Sequence, residues 1–213
     1  MAGPETLADD VMGRLRKSLA PADAPGRVEG AVLVLLRPSP GGHEVVLTTR
    51  HRDMRSHPGQ VAFPGGHLHE NEGPLQAALR EAHEEIGVPP DQVHVLVHMG
   101  DHLGPGWMTI RAVVGGIASD VPFAPDPREV DDVFTVALCA LAAPSAHESR
   151  MLLPQEDVPW SGHVVHVFRT TGVPIWGFTA GILARLLDWG LGWEPPRPPR
   201  VVATLDELRA GLP

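Results

Sequence analysis

The sequence predicts an α/β fold in which a mixed β-sheet is flanked by helices. Two apolar runs, residues 31–36 and 44–49, are separated by a turn rich in proline and glycine, which is typical of two neighbouring buried strands. A segment with helical periodicity, residues 74–87, follows them, and an alternating strand pattern comes next at 93–99. Strand patterns on both sides of a helix, together with a hairpin, favour a sheet with helices packed on it.

The other elements follow in order along the chain. An N-terminal helix is expected over residues 5–19, because its leucines and a valine recur on one side. Further expected elements are strands at 108–117, 130–136 and 163–168, a short helix from Leu138, a helix at 176–189, a last helix at 204–210, and loops at 21–26, 50–66, 144–160 and 194–200. We find neither an internal repeat nor a second domain in this pattern, so a single domain with short appendages is expected.

The helix over residues 74–87 has clear start and stop signals. Pro74 suits the first turn, where its missing N–H is not needed. Gly87 suits the stop, with prolines directly after it. An apolar stripe is expected to face the core; it consists of Leu75, Leu79, Ala82 and Ile86.

Three glutamates lie on the other side of this helix, at Glu81, Glu84 and Glu85. Like charges three or four residues apart repel by a few tenths of a kcal/mol per pair. Glu84 and Glu85 also lie in the last turn, where the helix dipole disfavours anions. A solvated acidic surface is one interpretation. A hard divalent cation such as Mg²⁺ or Mn²⁺, which binds carboxylate oxygens, is the other, because it would offset the repulsion.

The net charge of the chain argues against a nucleic-acid partner. The chain has 213 residues and a formal charge of −9, with a pI near 5.7, which disfavours a nucleic-acid-binding surface. Against this background Arg50, Arg52 and Arg55 form a local basic cluster. Lys17 is the single lysine among 17 basic residues, a bias that indicates a GC-rich, bacterial coding sequence.

The compartment is expected to be reducing. The single cysteine, Cys139, has no partner for an internal disulfide and is expected to be a small buried residue. No apolar run approaches the ~20 residues of a membrane span. Residues 1–20 are charged throughout and lack the apolar stretch of a signal peptide. These observations predict a cytoplasmic protein without a membrane partner.

The acidic helix and the loop before it resemble the Nudix box, G-x5-E-x7-R-E-U-x-E-E-x-G-U, where U is aliphatic. Every spacing is intact in this chain. The matching residues are Gly66, Glu72, Arg80, Glu81, Ala82, Glu84, Glu85, Gly87 and Val88. The resemblance identifies the chain as a member of the Nudix hydrolase family, whose enzymes hydrolyse a nucleoside diphosphate linked to another group. It implies a Nudix-like α/β/α sandwich with a mixed sheet.

A second resemblance narrows the branch of the family. The stretch from Leu47 to Gly66 is similar to the signature L-x-T-x-R-S/A-x3-R-x3-G-x3-F-P-G-G of coenzyme A pyrophosphatases, except that His51 replaces the usual serine or alanine. Residues 175–183 resemble the I-W-G-x-T-A-x-I-L segment of that branch. The likeness spans residues 28–190, which we expect to be the Nudix domain. Residues 1–27 would then be an N-terminal helix and linker, and 191–213 a Pro-rich linker and short helix.

The resemblance implies roles for the residues of the box. Glu81, Glu84 and Glu85, with the backbone at Gly66, are expected to hold Mg²⁺ or Mn²⁺. The same box is expected to have a structural part, in which Arg80 pairs with Glu72 to hold the loop against the helix and Gly87 ends the helix.

The catalytic base is left open between the box and a later loop. Glu81 or Glu84 is one choice. Glu129 is the other, because many Nudix enzymes have a further carboxylate before this strand. Asp131, Asp132 and, less strongly, Asp101 are alternatives to Glu129.

Arg50, Arg55 and His57 are expected to bind substrate phosphates or to fix the loop that leads into the box. The expected activity is hydrolysis of coenzyme A, or of its acyl or oxidised forms, to 3′,5′-ADP and a 4′-phosphopantetheine. The alternatives are a Nudix hydrolase of ADP-ribose, a dinucleotide or a nucleoside triphosphate, and a silent Nudix domain that only binds a nucleotide. The expected partner is a small nucleotide, not a nucleic acid, and the expected state is a monomer or homodimer.

Overall fold

The structure is a computed structural model that describes residues 13–15, 28–54, 56–155, 162–170, 172–210 and 212. Residues 13–15 are helical, in agreement with the predicted helix at 5–19, the rest of which lies outside the described residues. The chain divides into two compact units, Met1–Leu138 and Cys139–Pro213. Each unit has its own β-sheet, and the acidic helix belongs to the first.

The sheet of the first unit has seven strands. They are β1 (Gly30–Ser39), β2 (Gly42–Arg50), β3 (Val61–Ala62), β4 (Gly65–His67), β5 (His94–Leu103), β6 (Thr109–Gly116) and β7 (Val130–Ala137). The sheet is mixed, because β1 pairs in parallel with β6 and antiparallel with both β2 and β4. The expected hairpin is present, with Ser39 of β1 paired with Gly42 of β2.

Strand β1 is the centre of this sheet. Its first seven residues are buried, as the apolar run predicts for a strand that is covered on both faces. The N-terminal half of β1 pairs with β4, which places Gly66 opposite Ala31 and Gly65 opposite Val32. The glycines that precede the acidic helix are therefore part of the sheet and are not a free loop.

Helix α1 (Pro74–Ile86) packs against β1 and β4. Pro74 occupies the first turn, and Gly87 ends the helix in the left-handed conformation with a φ of 72°. The buried residues of the helix are Ala77, Ala78, Ala82, Glu85 and Ile86. The predicted apolar stripe is thus shifted, because Leu75 and Leu79 are only partly buried at the edge of the core while the helix turns Glu85 inward.

A loop connects β6 to β7 and runs past the C-terminal end of α1. The backbone N–H of Ala124 donates to the Ile86 carbonyl (2.9 Å), and that of Asp126 donates to the Glu85 carbonyl (3.0 Å). These hydrogen bonds satisfy carbonyls that the end of a helix leaves without partners. They also fix the segment that leads to Glu129 and β7 beside the acidic helix.

The second unit has a four-stranded sheet in the order β10–β9–β8–β11. Its elements are β8 (His147–Leu152), β9 (Val164–Phe168), β10 (Ile175–Trp176), α3 (Gly177–Leu191), β11 (Arg200–Val202) and α4 (Leu205–Arg209), while α2 (Leu138–Leu141) follows β7. Helix α3 packs against β9 and β10 within this unit. Thr204 caps α4, as its side chain accepts a hydrogen bond from the Glu207 N–H (3.1 Å).

Two sequence predictions are corrected here. The expected loop at 144–160 contains strand β8, which lacks an apolar pattern because its buried positions are partly polar. Arg150 is buried there; its Nη1 donates to the carbonyls of Leu208 (2.6 Å) and Ala210 (2.7 Å), and its Nη2 donates to Glu148 (2.9 Å). Cys139 is exposed and not buried. The α/β class and the mixed sheet are as predicted, and the domain limits at 28 and 190 stay a prediction.

No helix in the described part of the chain is both long and apolar enough to cross a membrane.

Candidate active site

The guanidinium of Arg80 is the centre of the acidic surface. Its Nε and Nη2 donate to the two carboxylate oxygens of Glu72 at 2.8 and 3.0 Å. Its Nη1 donates to Glu81 (2.9 Å) and to Glu84 (2.8 Å), and Nη2 also donates to the His67 carbonyl (3.0 Å). The Arg80–Glu72 contact that the sequence predicts is present. One arginine therefore links the loop, strand β4 and two of the three clustered acids.

The same contacts fix the charge state of Glu72. The hydrogen bonds from Arg80, and a further one from the His69 N–H (2.9 Å), lower the pKa of Glu72 to about 2. Arg80 donates hydrogen bonds to three carboxylates, and these bonds raise the pKa of its guanidinium above the usual range. The bonds to Glu72 contribute most. Glu72 is therefore an anion throughout the physiological range and does not take part in proton transfer.

Glu85 differs from its two neighbours because it is buried, with only 5% of its surface exposed. One of its carboxylate oxygens accepts a hydrogen bond from the Gly65 N–H at 3.1 Å. The pKa of Glu85 is raised to about 8, mainly by burial and also by the negative charges of Glu81 and Glu129, while the Gly65 N–H and Arg50 lower it. Glu85 is thus within electrostatic reach of both acids and of Arg50.

The two glycines of β4 allow the helix to approach the sheet closely. A Cβ placed on Gly66 would lie 2.7 Å from the Glu81 Cδ, which is closer than such atoms come. Gly65 has a φ of 157°, and a Cβ there would lie 2.7 Å from the Val32 Cα. Only glycine permits the carboxylate of Glu81 to lie directly against the Gly66 backbone.

Glu129 is the turn residue directly before β7, and its backbone is held by hydrogen bonds from two sides. Its N–H donates to the Asp126 carbonyl (3.0 Å), and its carbonyl accepts from the His51 N–H (2.9 Å). Glu129 is exposed, and its negative charge acts on Glu85. This arrangement leaves the Glu129 carboxylate available for chemistry beside the acidic helix.

The alternative acids are placed differently. Asp101 accepts two hydrogen bonds from Arg111, at 2.7 and 3.0 Å, and its side chain is only 7% exposed. Asp131 lies 3.6 Å from ring and guanidinium nitrogens of His51 and Arg52. Asp132 is exposed. Because Asp101 is committed to a bidentate ion pair, it is a poorer candidate for the base than Glu129.

The predicted phosphate-binding residues are only partly described. The Nε of Arg50 is buried and has no hydrogen-bond partner among the residues that the structure describes, and the charge of Arg50 acts on Glu85. His57 is exposed, has a φ of 54°, and its Nδ1 lies 3.1 Å from the Gln60 Oε1. Arg55 lies outside the described residues.

The chemistry of the donors fits a hard divalent cation, although within the described residues no three acidic, histidine or cysteine side chains converge on one point. The candidate ligands are carboxylate oxygens and the Gly66 backbone, without sulfur. Glu85 is buried and is repelled by Glu81 and Glu129. A bound dication would offset both the burial and the repulsion.

Sequence reasoning did not find three features of this site: the burial of Glu85, the pairing of Asp101 with Arg111, and the contacts of His51. The Pro-Gly-Gly run at 64–66 was a signal for a close backbone approach beside the acidic helix. The other two contacts join residues that are distant in the chain, for which the sequence carries no local signal.

The raised pKa of Glu85 predicts a pH-dependent stability of the metal-free protein. Between pH 4.5 and about 8 the folded protein keeps the Glu85 proton that the unfolded chain releases. The free energy of unfolding should therefore fall as pH rises through this window and level off above it. Thermal unfolding in a chelator should show this loss for the wild type and not for Glu85→Gln. Glu84→Gln, at an exposed acid, should follow the wild type; parallel curves for wild type and Glu85→Gln would contradict the assignment.

Comparisons with known proteins show the family of this chain. A family model described as the NUDIX domain matches residues 27–155. A protein of Enterobacter sp. (strain 638), named "Uncharacterized Nudix hydrolase NudL", is 35% identical over 195 residues, which are 88% of this chain and 96% of that protein. A protein of the same name from Cronobacter sakazakii is 36% identical over 163 residues, or 74% of this chain and 80% of its own.

Among solved structures, the Nudix hydrolase RenU of M. smegmatis is 32% identical, with a TM-score of 0.47, and the match covers 55% of this chain and 74% of that one. The family assignment rests on the NUDIX model and on the NudL proteins, whose matches cover 88% and 74% of this chain. Nudix hydrolases act on pyrophosphate bonds and generally use divalent metal ions. The chain belongs to the Nudix hydrolase family.

Proposed function

We propose that this enzyme hydrolyses the diphosphate of coenzyme A, in its free, acylated or oxidised form, to 3′,5′-ADP and a 4′-phosphopantetheine. The observation that carries the proposal is the run from Leu47 to Gly66, which matches the signature except at His51. Within it, the buried Nε of Arg50 has no partner among the described residues, and the charge of Arg50 acts on Glu85. A cationic fork in this place suits a phosphate oxygen.

Glu81, Glu84 and Glu85, with the Gly66 backbone, are the proposed ligands of Mg²⁺ or Mn²⁺. When bound, the cation withdraws charge from the diphosphate and lowers the pKa of a nearby water. Arg80 holds Glu81 and Glu84 in place through its Nη1 at 2.9 and 2.8 Å. It also ties the helix to Glu72 of the loop, so the ligands are oriented before the substrate binds.

Glu129 is the proposed base. It accepts a proton from the attacking water as the new P–O bond forms and the anhydride P–O bond breaks, and the leaving phosphate takes the electron pair. Its exposed side chain and its electrostatic contact with Glu85 support this role. Glu81 and Glu84 are the bases in the alternative, in which an acid of the box deprotonates the water.

Arg50, Arg55 and His57 are the proposed phosphate-binding residues of the substrate loop. The electrostatic effect of Arg50 on Glu85 supports a role at the diphosphate rather than at the 3′-phosphate of the nucleotide. The single cysteine is compatible with a cytoplasmic enzyme. A Nudix hydrolase of another nucleoside diphosphate derivative is the second candidate, because His51 departs from the signature of coenzyme A enzymes.

The direct test is hydrolysis of coenzyme A with Mg²⁺ or Mn²⁺ at mildly alkaline pH, with products separated by chromatography. We expect 3′,5′-ADP and 4′-phosphopantetheine from the wild type and a loss of about 100-fold or more for Glu85→Gln, which removes an anionic ligand. Glu70→Gln, the same substitution at an exposed acid in the loop before helix α1, is the control and should be active. Turnover of ADP-ribose or a dinucleotide instead of coenzyme A would refute the substrate, and no turnover of any of them would indicate a silent domain.

A second prediction concerns the base. Glu129→Gln should lower kcat roughly 100-fold or more, the range of general-base catalysis, because the amide does not accept the proton of the water. KM should change by less than about threefold, since Glu129 is not assigned to substrate binding. Steady-state kinetics with coenzyme A measure both. A kcat close to that of the wild type would return the role to Glu81 or Glu84.

A third prediction concerns Arg50. Its hydrogen bonds to a charged phosphate are worth about 1.5–3 kcal/mol, so Arg50→Ala should weaken binding by about tenfold or more. Arg50→Lys should restore only part of this, because the ammonium lacks the fork. If Arg50 binds the diphosphate, the loss should be equal for coenzyme A and for dephospho-coenzyme A. A loss confined to coenzyme A would instead place Arg50 at the 3′-phosphate. Arg52→Ala, with a side chain 88% exposed, is the matched control.

A further inference from the structure

His51 is the residue at which this chain departs from the coenzyme A signature, and the structure gives it four contacts. Its ring Nδ1 accepts a hydrogen bond from the Asp53 N–H (3.1 Å). Its backbone N–H donates to the Glu129 carbonyl (2.9 Å), and its backbone carbonyl accepts from the Met54 N–H (3.1 Å). Its ring Nε2 lies 3.6 Å from the Asp131 carboxylate.

The contacts of the His51 ring indicate which tautomer its neutral imidazole adopts. Because Nδ1 accepts a hydrogen from the backbone, the ring proton of the neutral form lies on Nε2, on the side of Asp131. An acceptor that binds the N–H two residues further along closes a tight local turn, as the side chains of serine and asparagine do. His51 therefore supplies the turn-closing acceptor that a serine of the signature would supply, and adds a contact with β7.

The strand on the other side of this contact is irregular. Thr49 is paired with Asp132 and Arg50 with Val130, so Asp131 is an extra residue in β7 and forms a bulge. A bulge bends its strand and redirects the side chains next to it. The bulged residue, Asp131, lies between the partners of Thr49 and Arg50, and its carboxylate is next to the ring of His51.

Two backbone hydrogen bonds, from different parts of the fold, thus hold Glu129. On the helix side, its N–H is bound by Asp126, whose own N–H donates to the Glu85 carbonyl. On the sheet side, its carbonyl is bound by the N–H of His51. The hydrogen bond to Asp126 ties Glu129 to the end of helix α1. The hydrogen bond from His51 depends on the turn that the His51 ring closes.

We propose that His51 is a positioning residue for Glu129: its imidazole closes the turn at 51–54, which holds the backbone of Glu129 so that the carboxylate is aimed at the metal-binding acids. The inference rests on the proposed function, in which Glu129 is the base. His51 touches neither substrate nor cation in this role. Its loss should misplace the base and leave the phosphate-binding arginines in place.

The test compares three substitutions by steady-state kinetics with coenzyme A. His51→Ala should lower kcat about 10- to 100-fold, the cost of a misplaced group, and change KM by less than about threefold. His51→Ser and His51→Asn keep an acceptor for the Asp53 N–H and should restore most of kcat. Arg52→Ala removes the other cation beside Asp131 and should have the kcat of the wild type. A change in KM alone, or serine and asparagine variants as impaired as alanine, would overturn the proposal.

A double-mutant cycle separates positioning from general loss of structure. If His51 acts through Glu129, His51→Ala should have no further effect on kcat in a Glu129→Gln enzyme. If the two effects multiply, His51 acts independently of Glu129 and the proposal fails. Thermal unfolding of each variant confirms that it is folded, and the serine and asparagine variants provide the same test if the alanine variant is not. A Glu129→Gln enzyme with normal kcat would refute the proposed base, whereas an impaired one combined with an unaffected His51→Ala would refute only this inference.

Discussion

Carboxylates crowd the exposed side of helix α1, and a single guanidinium makes this arrangement stable. Arg80 binds Glu72 with two nitrogens and reaches Glu81 and Glu84 with the third. Without it, the acids would repel one another along the helix, and Glu72 would lose its ion pair with the helix. The position of the candidate metal ligands, and of the strand that leads to them, depends on this interaction.

The second constraint is steric. Gly65 and Gly66 form a strand against β1, and helix α1 lies so close to them that the Glu81 carboxylate occupies the space of a Gly66 side chain. The same approach buries Glu85 and pairs its carboxylate with the Gly65 N–H. Burial and repulsion disfavour Glu85 as a free anion, so a positive charge beside it would be stabilising.

The third part of the site is Glu129, in the loop between β6 and β7. The loop before β7 is tied to the carbonyls at the end of α1, and the turn after β2 is tied to the Glu129 backbone. Helix and strand therefore bring an acid from outside the box to within electrostatic reach of Glu85. The proposed chemistry therefore has three separate sources: ligands on helix α1, a base in the turn before β7, and cations at the end of β2 and in the loop after it.

The sequence by itself determined the α/β class, the acidic helix with its start and stop, the β1–β2 hairpin and the family, because these depend on local periodicity, capping residues and a fixed motif. It also predicted the Arg80–Glu72 pair, since both residues belong to that motif. Only the tertiary structure decided that Glu85 is buried, that Asp101 is held by Arg111, that β8 is a strand and that His51 meets Glu129. These depend on contacts between residues far apart in the chain, and periodicity does not record which distant groups will satisfy a buried charge or a polar strand.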